Sequence, residues 1–163
     1  MRRVCAFEPM SAREWRKQLM EVLAEELMPH GFRKAGFHLW RRRESTWTVV
    51  WLWRMDKPAR EDELSVSIEV SRHFSDVEIM PKTYECHWLG GPFTMSDSGL
   101  KQYSWTMRSE DEVLRLRDVF RKDLIPQILR IEEVLATRED VLALRSPHSD
   151  ATLDPYGRTR GLT

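Results

Sequence analysis

Residues 31–55 read GFRKAGFHLWRRRESTWTVVWLWRM, and this stretch decides the fold. It holds four of the seven tryptophans, Trp40, Trp47, Trp51 and Trp53, together with a cluster of arginines. Two extended segments are expected here. Phe37–Arg43 places Phe37, Leu39 and Arg41 on one face and His38, Trp40 and Arg42 on the other. Glu44-Ser45 is short enough for a tight turn. Thr46–Met55 follows, with Trp47, Val49, Trp51 and Trp53 on one face and Thr48, Val50, Leu52 and Arg54 on the other. Both faces are largely apolar and the content is aromatic and β-branched, so this strand belongs in the middle of a sheet.

Outward from that hairpin the pattern is clear on both sides. Upstream, Met10–His30 predicts a helix. Ser11 with Glu14 forms a capping box, and Trp15, Leu19, Val22, Leu23 and Leu27 recur at helical spacing. Pro29 and Gly31 end it. Downstream, Asp56–Asp62 carries Pro58 and several charges and reads as a loop. Glu63–Ser71 then alternates Leu64, Val66, Ile68 and Val70 with Ser65, Ser67, Glu69 and Ser71, which is a half-buried strand.

Residues 72–99 contain Pro81, Pro92 and Gly90-Gly91 and are turn-rich, with a fourth strand expected over Thr83–Leu89. Leu100–Arg108 is the last strand expected. Ser109 to Glu112 is a second capping box, opening a helix with Val113, Leu116, Val119, Phe120 and Leu124 inside. Pro126 is expected to break or kink it before Gln127–Ala136 continues. A short helix from Thr137 to Arg145 closes the domain.

The expected fold is therefore α+β: an N-terminal helix, an antiparallel sheet of four or five strands, and two or three C-terminal helices packed on one sheet face. Residues 1–9 read as an N-terminal extension, 10–146 as one domain and 147–163 as a flexible tail.

Composition bounds the function. The chain has 163 residues, 41% hydrophobic and 32% charged, which is globular rather than disordered. There is no apolar run long enough to span a membrane and no apolar core of a signal peptide. Cys5 and Cys86 are the only cysteines; free thiols in a reducing cytoplasm are expected. Net charge is zero, but residues 1–60 carry 13 basic and 7 acidic groups and the remainder 13 and 19. Such asymmetry steers an anionic partner toward the N-terminal half, or closes on itself as an internal dipole.

The order of helix, hairpin and alternating strand, with Gly31-Phe32-Arg33-Lys34-Ala35-Gly36, Arg41 to Arg43, and Asp123-Leu124-Ile125-Pro126-Gln127-Ile128-Leu129, resembles a bacterial family catalogued as a domain of unknown function, the four-three-zero-four type. The resemblance covers about residues 12–145 and implies the fold more than a function. A glutamine and an asparagine frequent in that family correspond here to Trp53 and Ser67, so any activity resting on those two groups is in doubt. The alignment also implies that Trp47, Trp51 and Trp53 share a face with Ser65, Ser67 and Glu69, and that the helices cover the opposite face.

Candidate sites follow from that face. Trp40, Arg42, Trp47, Trp51, Trp53, Ser67 and Glu69 are the candidate binding residues, because tryptophan and arginine concentrate at binding hot spots. The competing reading makes the tryptophans core, or covers them with the 72–99 segment. Arg33, Lys34 and Arg41 to Arg43 beside Trp40 and Trp47 have the composition of a single-strand nucleic-acid surface, but a sequence pI of about 7.0 argues against one. Cys86-His87, with His73, lacks metal or nucleophile spacing and reads as a buried thiol beside a surface imidazole. No catalytic constellation, metal set or cofactor is expected. The reading is a cytoplasmic, non-enzymatic domain that binds another protein or a second copy of itself, in a regulatory or immunity-type role. The alternative is a small-molecule-binding domain or enzyme, with a cleft between the tryptophan face and residues 72–99.

Overall fold

The computed structural model describes residues 10–54, 64–82, 86–90, 104–143 and 158–159; for Trp53, Arg54, Ser104, Arg158 and Thr159 it describes the backbone. Helix α1 spans Ala12–Leu27, and Ser11 and Glu14 close the capping box reciprocally. A single 3-10 turn follows over Met28–His30. Gly31 then takes φ of 85°, a left-handed conformation that a side chain would strain.

The hairpin forms as its alternation demands. Strand β2 (His38–Arg43) pairs antiparallel with β3 (Thr46–Arg54) through Glu44-Ser45. A strand not expected from the sequence also joins the sheet: β1 (Arg33–Ala35) pairs with β2 at its edge. Strand β4 (Leu64–Phe74) runs three residues beyond the expected end and pairs with β3 along nearly its whole length.

The other edge of β4 is shared by two strands. Strand β5 (Trp88–Gly90) pairs with Val70 to Arg72, and β6 (Ser104–Met107) with Leu64 to Ser67. Residues 83–85 and 100–103, read as parts of the fourth and last strands, lie outside the described residues. Arg158–Thr159, within the segment read as a tail, forms a two-residue strand β7 on β5.

The described residues thus form one antiparallel sheet in the order β1-β2-β3-β4-β5-β7, with β6 also on β4. The α+β architecture is as the sequence reads it, with two short strands added at the edges.

Helices α2 (Glu110–Val119), α3 (Ile125–Val134) and α4 (Arg138–Ala143) complete the layer over one sheet face. Ser109 and Glu112 form the second capping box. Before Pro126 the five residues Phe120–Leu124 take a π-helical turn, and the Ile125 N–H bonds the Phe120 carbonyl. The wider turn lets the proline sit at the start of α3, where its missing N–H is tolerated.

Leu39, Val50, Leu52, Leu64, Val66, Ile68 and Val70 supply the sheet side of the core. Leu19, Leu23, Leu27, Phe120, Ile128 and Ile131 supply the helix side. Trp105 meets Phe120 edge to face, with ring centroids 5.6 Å apart. Arg16 anchors α1 to the sheet, donating to the Leu52 carbonyl at 2.7 Å and lying 3.9 Å over the Phe37 ring.

Candidate functional site

The β3–β4 register places Trp47 opposite His73, Val49 opposite Ser71, Trp51 opposite Glu69 and Trp53 opposite Ser67. On β2, His38 lies opposite Trp51, Trp40 opposite Val49 and Arg42 opposite Trp47. The tryptophans therefore share one face with the serines and Glu69, away from the helices, as the alignment implies.

That face is not uniformly open. Trp47 is buried at 1% exposure, as are Val49, Ser71 and His73 beside it. The Arg42 guanidinium lies 5.4 Å over the Trp47 ring. Arg42 is held there by donating to the carbonyls of Glu44 at 2.9 Å and Asp76 at 3.4 Å. Trp47 is thus a packed residue, and the open tryptophan row is corrected at this position.

The half-exposed part of the face consists of His38, Trp40, Trp51, Ser65, Ser67 and Glu69. Its rings are ordered by one another. His38 stacks on Trp51 at 5.7 Å with 8° between planes. Trp40 tilts against Trp47 at 5.2 Å, and Arg33 lies 5.5 Å over Trp40. Burial, and the charge of Arg16, hold the His38 imidazole below its ordinary value of 6.5 despite a backbone hydrogen bond to Ala35. It is therefore neutral at neutral pH. Ser65 and Thr106 share a hydrogen bond at 3.0 Å farther along the sheet. The side chain of Trp53 lies outside the described residues.

Cys86 is buried, and His87 beside it is half-buried. The thiol is buried as expected, but the imidazole is not the surface group expected: its Nδ1 accepts from the Phe74 backbone N–H at 3.1 Å and its ring meets that of Phe74. Among the described residues no group of three or more His, Cys, Asp and Glu is placed to hold a metal ion. Among the same residues no helix is long and apolar enough to cross a membrane.

A second site was not anticipated. On the helix-covered face, α3 ends at Val134 and leaves the hairpin end of the sheet uncovered. A cavity of about 340 Å³ opens there, lined by Arg41, Arg43, Thr48, Arg72 and Glu132 among others. Arg41 is 7% exposed, Arg72 4% and Thr48 fully buried. Arg41 is ion-paired with Glu132 and also donates to the His30 carbonyl at 2.5 Å. Among the described residues Arg72 has no carboxylate hydrogen-bond partner. It donates to the Thr48 hydroxyl at 2.5 Å and twice to the Leu135 carbonyl, at 3.1 and 2.9 Å.

Burial pushes both guanidinium groups down from 12.5 to about 10; the neighbouring charge of Arg43 adds to this for both, and that of Arg41 for Arg72. Both remain charged at neutral pH. The sequence carried one usable signal for this site. Arg72 continues the core-facing series Leu64, Val66, Ile68 and Val70 by one more period, which puts a charge on the buried face. The cleft expected between the tryptophans and residues 72–99 involves residues outside those described, and this cavity lies on the opposite face of the sheet.

Comparison with protein-family models, with curated proteins and with solved structures found no match in any of the three.

Proposed function

We propose that this chain is a non-enzymatic binding domain that docks another protein on the half-exposed sheet face around Trp51 and Trp40. The observation that carries the reading is the stacked pair His38–Trp51 beside the Arg33–Trp40 contact. Rings already held by neighbours lose little conformational freedom on binding, which is the property of a preorganised hot spot. Arg33 and Arg42 rim the patch on one side, so the fitting partner presents acidic groups around an apolar centre. A cytoplasmic regulatory or immunity-type role fits such a module. Membership in the domain-of-unknown-function family belongs to the same proposal and supplies no chemistry.

The test compares wild type with Trp51→Ala and Arg33→Glu, using Leu142→Ala on the helix side as a control. Partners captured from cell extract are quantified for each, with molar mass in solution by light scattering and thermal melts alongside. The expected result is a partner retained by wild type and the control, and lost from the two sheet-face variants with melts unchanged. A dimer that dissociates in Trp51→Ala makes the partner a second copy of this chain. Equal capture by all four proteins, with no change in mass, rejects the sheet face as the docking surface.

A further inference from the structure

We propose that the cavity at the hairpin end of the helix-covered face is a binding site for a small-molecule oxyanion, a phosphate or carboxylate head group held between Arg41, Arg43 and Arg72. The proposal is independent of the sheet-face reading, because the two sites lie on opposite faces of the sheet.

Charge is the first argument. Among the described residues three guanidinium groups line the cavity against two carboxylates, Glu132 and Glu44, a surplus of one positive charge. Glu132 is engaged by Arg41, and Glu44 stands exposed on the hairpin turn. A charge surplus in a partly desolvated recess is costly, and it is relieved when an anion enters.

Donor geometry is the second. A guanidinium carries five N–H groups. Arg41 spends them on Glu132 and the His30 carbonyl, and Arg72 on Leu135 and Thr48, by three contacts each in the bonds described. Among the described residues this leaves two N–H groups on each without an acceptor. Arg43 is exposed at the mouth and supplies a third guanidinium. Thr48, which accepts from Arg72 through Oγ1, keeps its hydroxyl proton to donate. Planar forks of this kind match the oxygens of carboxylate and phosphate.

Rigidity is the third. Arg41 and Arg72 are buried and fixed by bonds to backbone carbonyls of two different elements, so the donors are in place before any ligand arrives. The cavity of about 340 Å³ falls in the size range of small-molecule sites, which points to a head group attached to a metabolite rather than to a bare ion.

The test is isothermal titration calorimetry of the whole chain with sodium phosphate and, separately, sodium succinate, against sodium chloride at matched ionic strength. Saturable one-site binding in the millimolar range or tighter is expected for at least one oxyanion, and the tighter of the two identifies the head group. Arg43→Gln, an exposed substitution that leaves the fold intact, should weaken it by about tenfold. Glu44→Gln, which removes the carboxylate at the mouth, should tighten it. No saturable heat from either oxyanion overturns the proposal, as does equal binding by wild type and Arg43→Gln.

Discussion

The guanidinium of Arg72 closes the C-terminal end of helix α3 by donating twice to the carbonyl of Leu135, from Nε at 3.1 Å and from Nη2 at 2.9 Å. The last carbonyls of a helix have no partner within it and carry its negative end. Here a residue 63 positions earlier in the chain supplies both the donors and the charge. The contact holds the end of α3 against the sheet beside the arginine-lined cavity.

Removing that guanidinium should therefore cost more than its volume. Arg72→Ala leaves the Leu135 carbonyl and the Thr48 hydroxyl without their donor and opens a void, for an expected loss of about 2–4 kcal/mol. Arg72→Met fills the space with no buried charge and should cost roughly half as much. Urea denaturation of the two variants gives the comparison; equal costs would mean that the void contributes nothing and that the whole loss is that of the guanidinium's hydrogen bonds.

The same residue marks where sequence reading succeeded and where it stopped. Alternation over Leu64 to Val70 gave the core face, because a one-residue slip would carry every side chain to the other side, while the residue-by-residue pairing with β3 came only with the structure. Both capping boxes were legible because their hydrogen bonds are local. Arg41 and Arg72 come together only through the tertiary register of three strands and the end of a distant helix, and nothing local encodes that meeting. At Pro126 the expected break or kink takes the form of a π-helical turn, whose exact geometry has no distinct local signature. Trp47 could not be separated from Trp51 by alternation, since both occupy the same face and differ only in what lies above them.

That difference is measurable. Trp47 is 1% exposed and Trp51 half-exposed. Trp47→Ala should lower stability by about 3–5 kcal/mol, as for a core aromatic, and Trp51→Ala by about 1 kcal/mol. Acrylamide quenching of the wild type should fall when Trp51 is replaced by phenylalanine and stay unchanged when Trp47 is. Reversal of the stability order would place Trp51, not Trp47, in the core.

Gly90 is fixed by its neighbour two residues back. A Cβ there would come within 2.6 Å of the Trp88 ring, and Trp88 is fully buried. The indole is rigid and enclosed, so it cannot yield cheaply. Gly90→Ala should destabilise by about 1–3 kcal/mol. The double change Trp88→Leu with Gly90→Ala should cost less than the two single changes added together, because the clash is removed with the ring. A double-mutant cycle of chemical denaturation checks this, and strict additivity would show that the two positions do not meet.

Two histidines make stability fall on the acid side of neutrality. Burial, with Arg16 near His38 and Arg138 near His87, lowers both imidazoles below 6.5. The unfolded chain then takes up protons at a higher pH than the folded one does, so stability is full above about 6.5 and is lost as pH falls toward the lowered folded values. His87 has a specific reason to resist protonation: its Nδ1 accepts the Phe74 N–H, and a proton there removes that acceptor. The carboxylates of Glu26, beside Arg121, and Glu14, bonded to Ser11, are held below 4.5 and contribute separately. Their share is present above 4.5 and lost only at lower pH, so the two losses are resolved on the pH axis. His87→Asn offers an amide oxygen near the Nδ1 position without titrating there, and should flatten part of the first step while leaving the second in place. Denaturation midpoints measured from about pH 7.5 to about pH 3 would separate them. A first step unchanged in His87→Asn would assign that step to His38 stacked on Trp51.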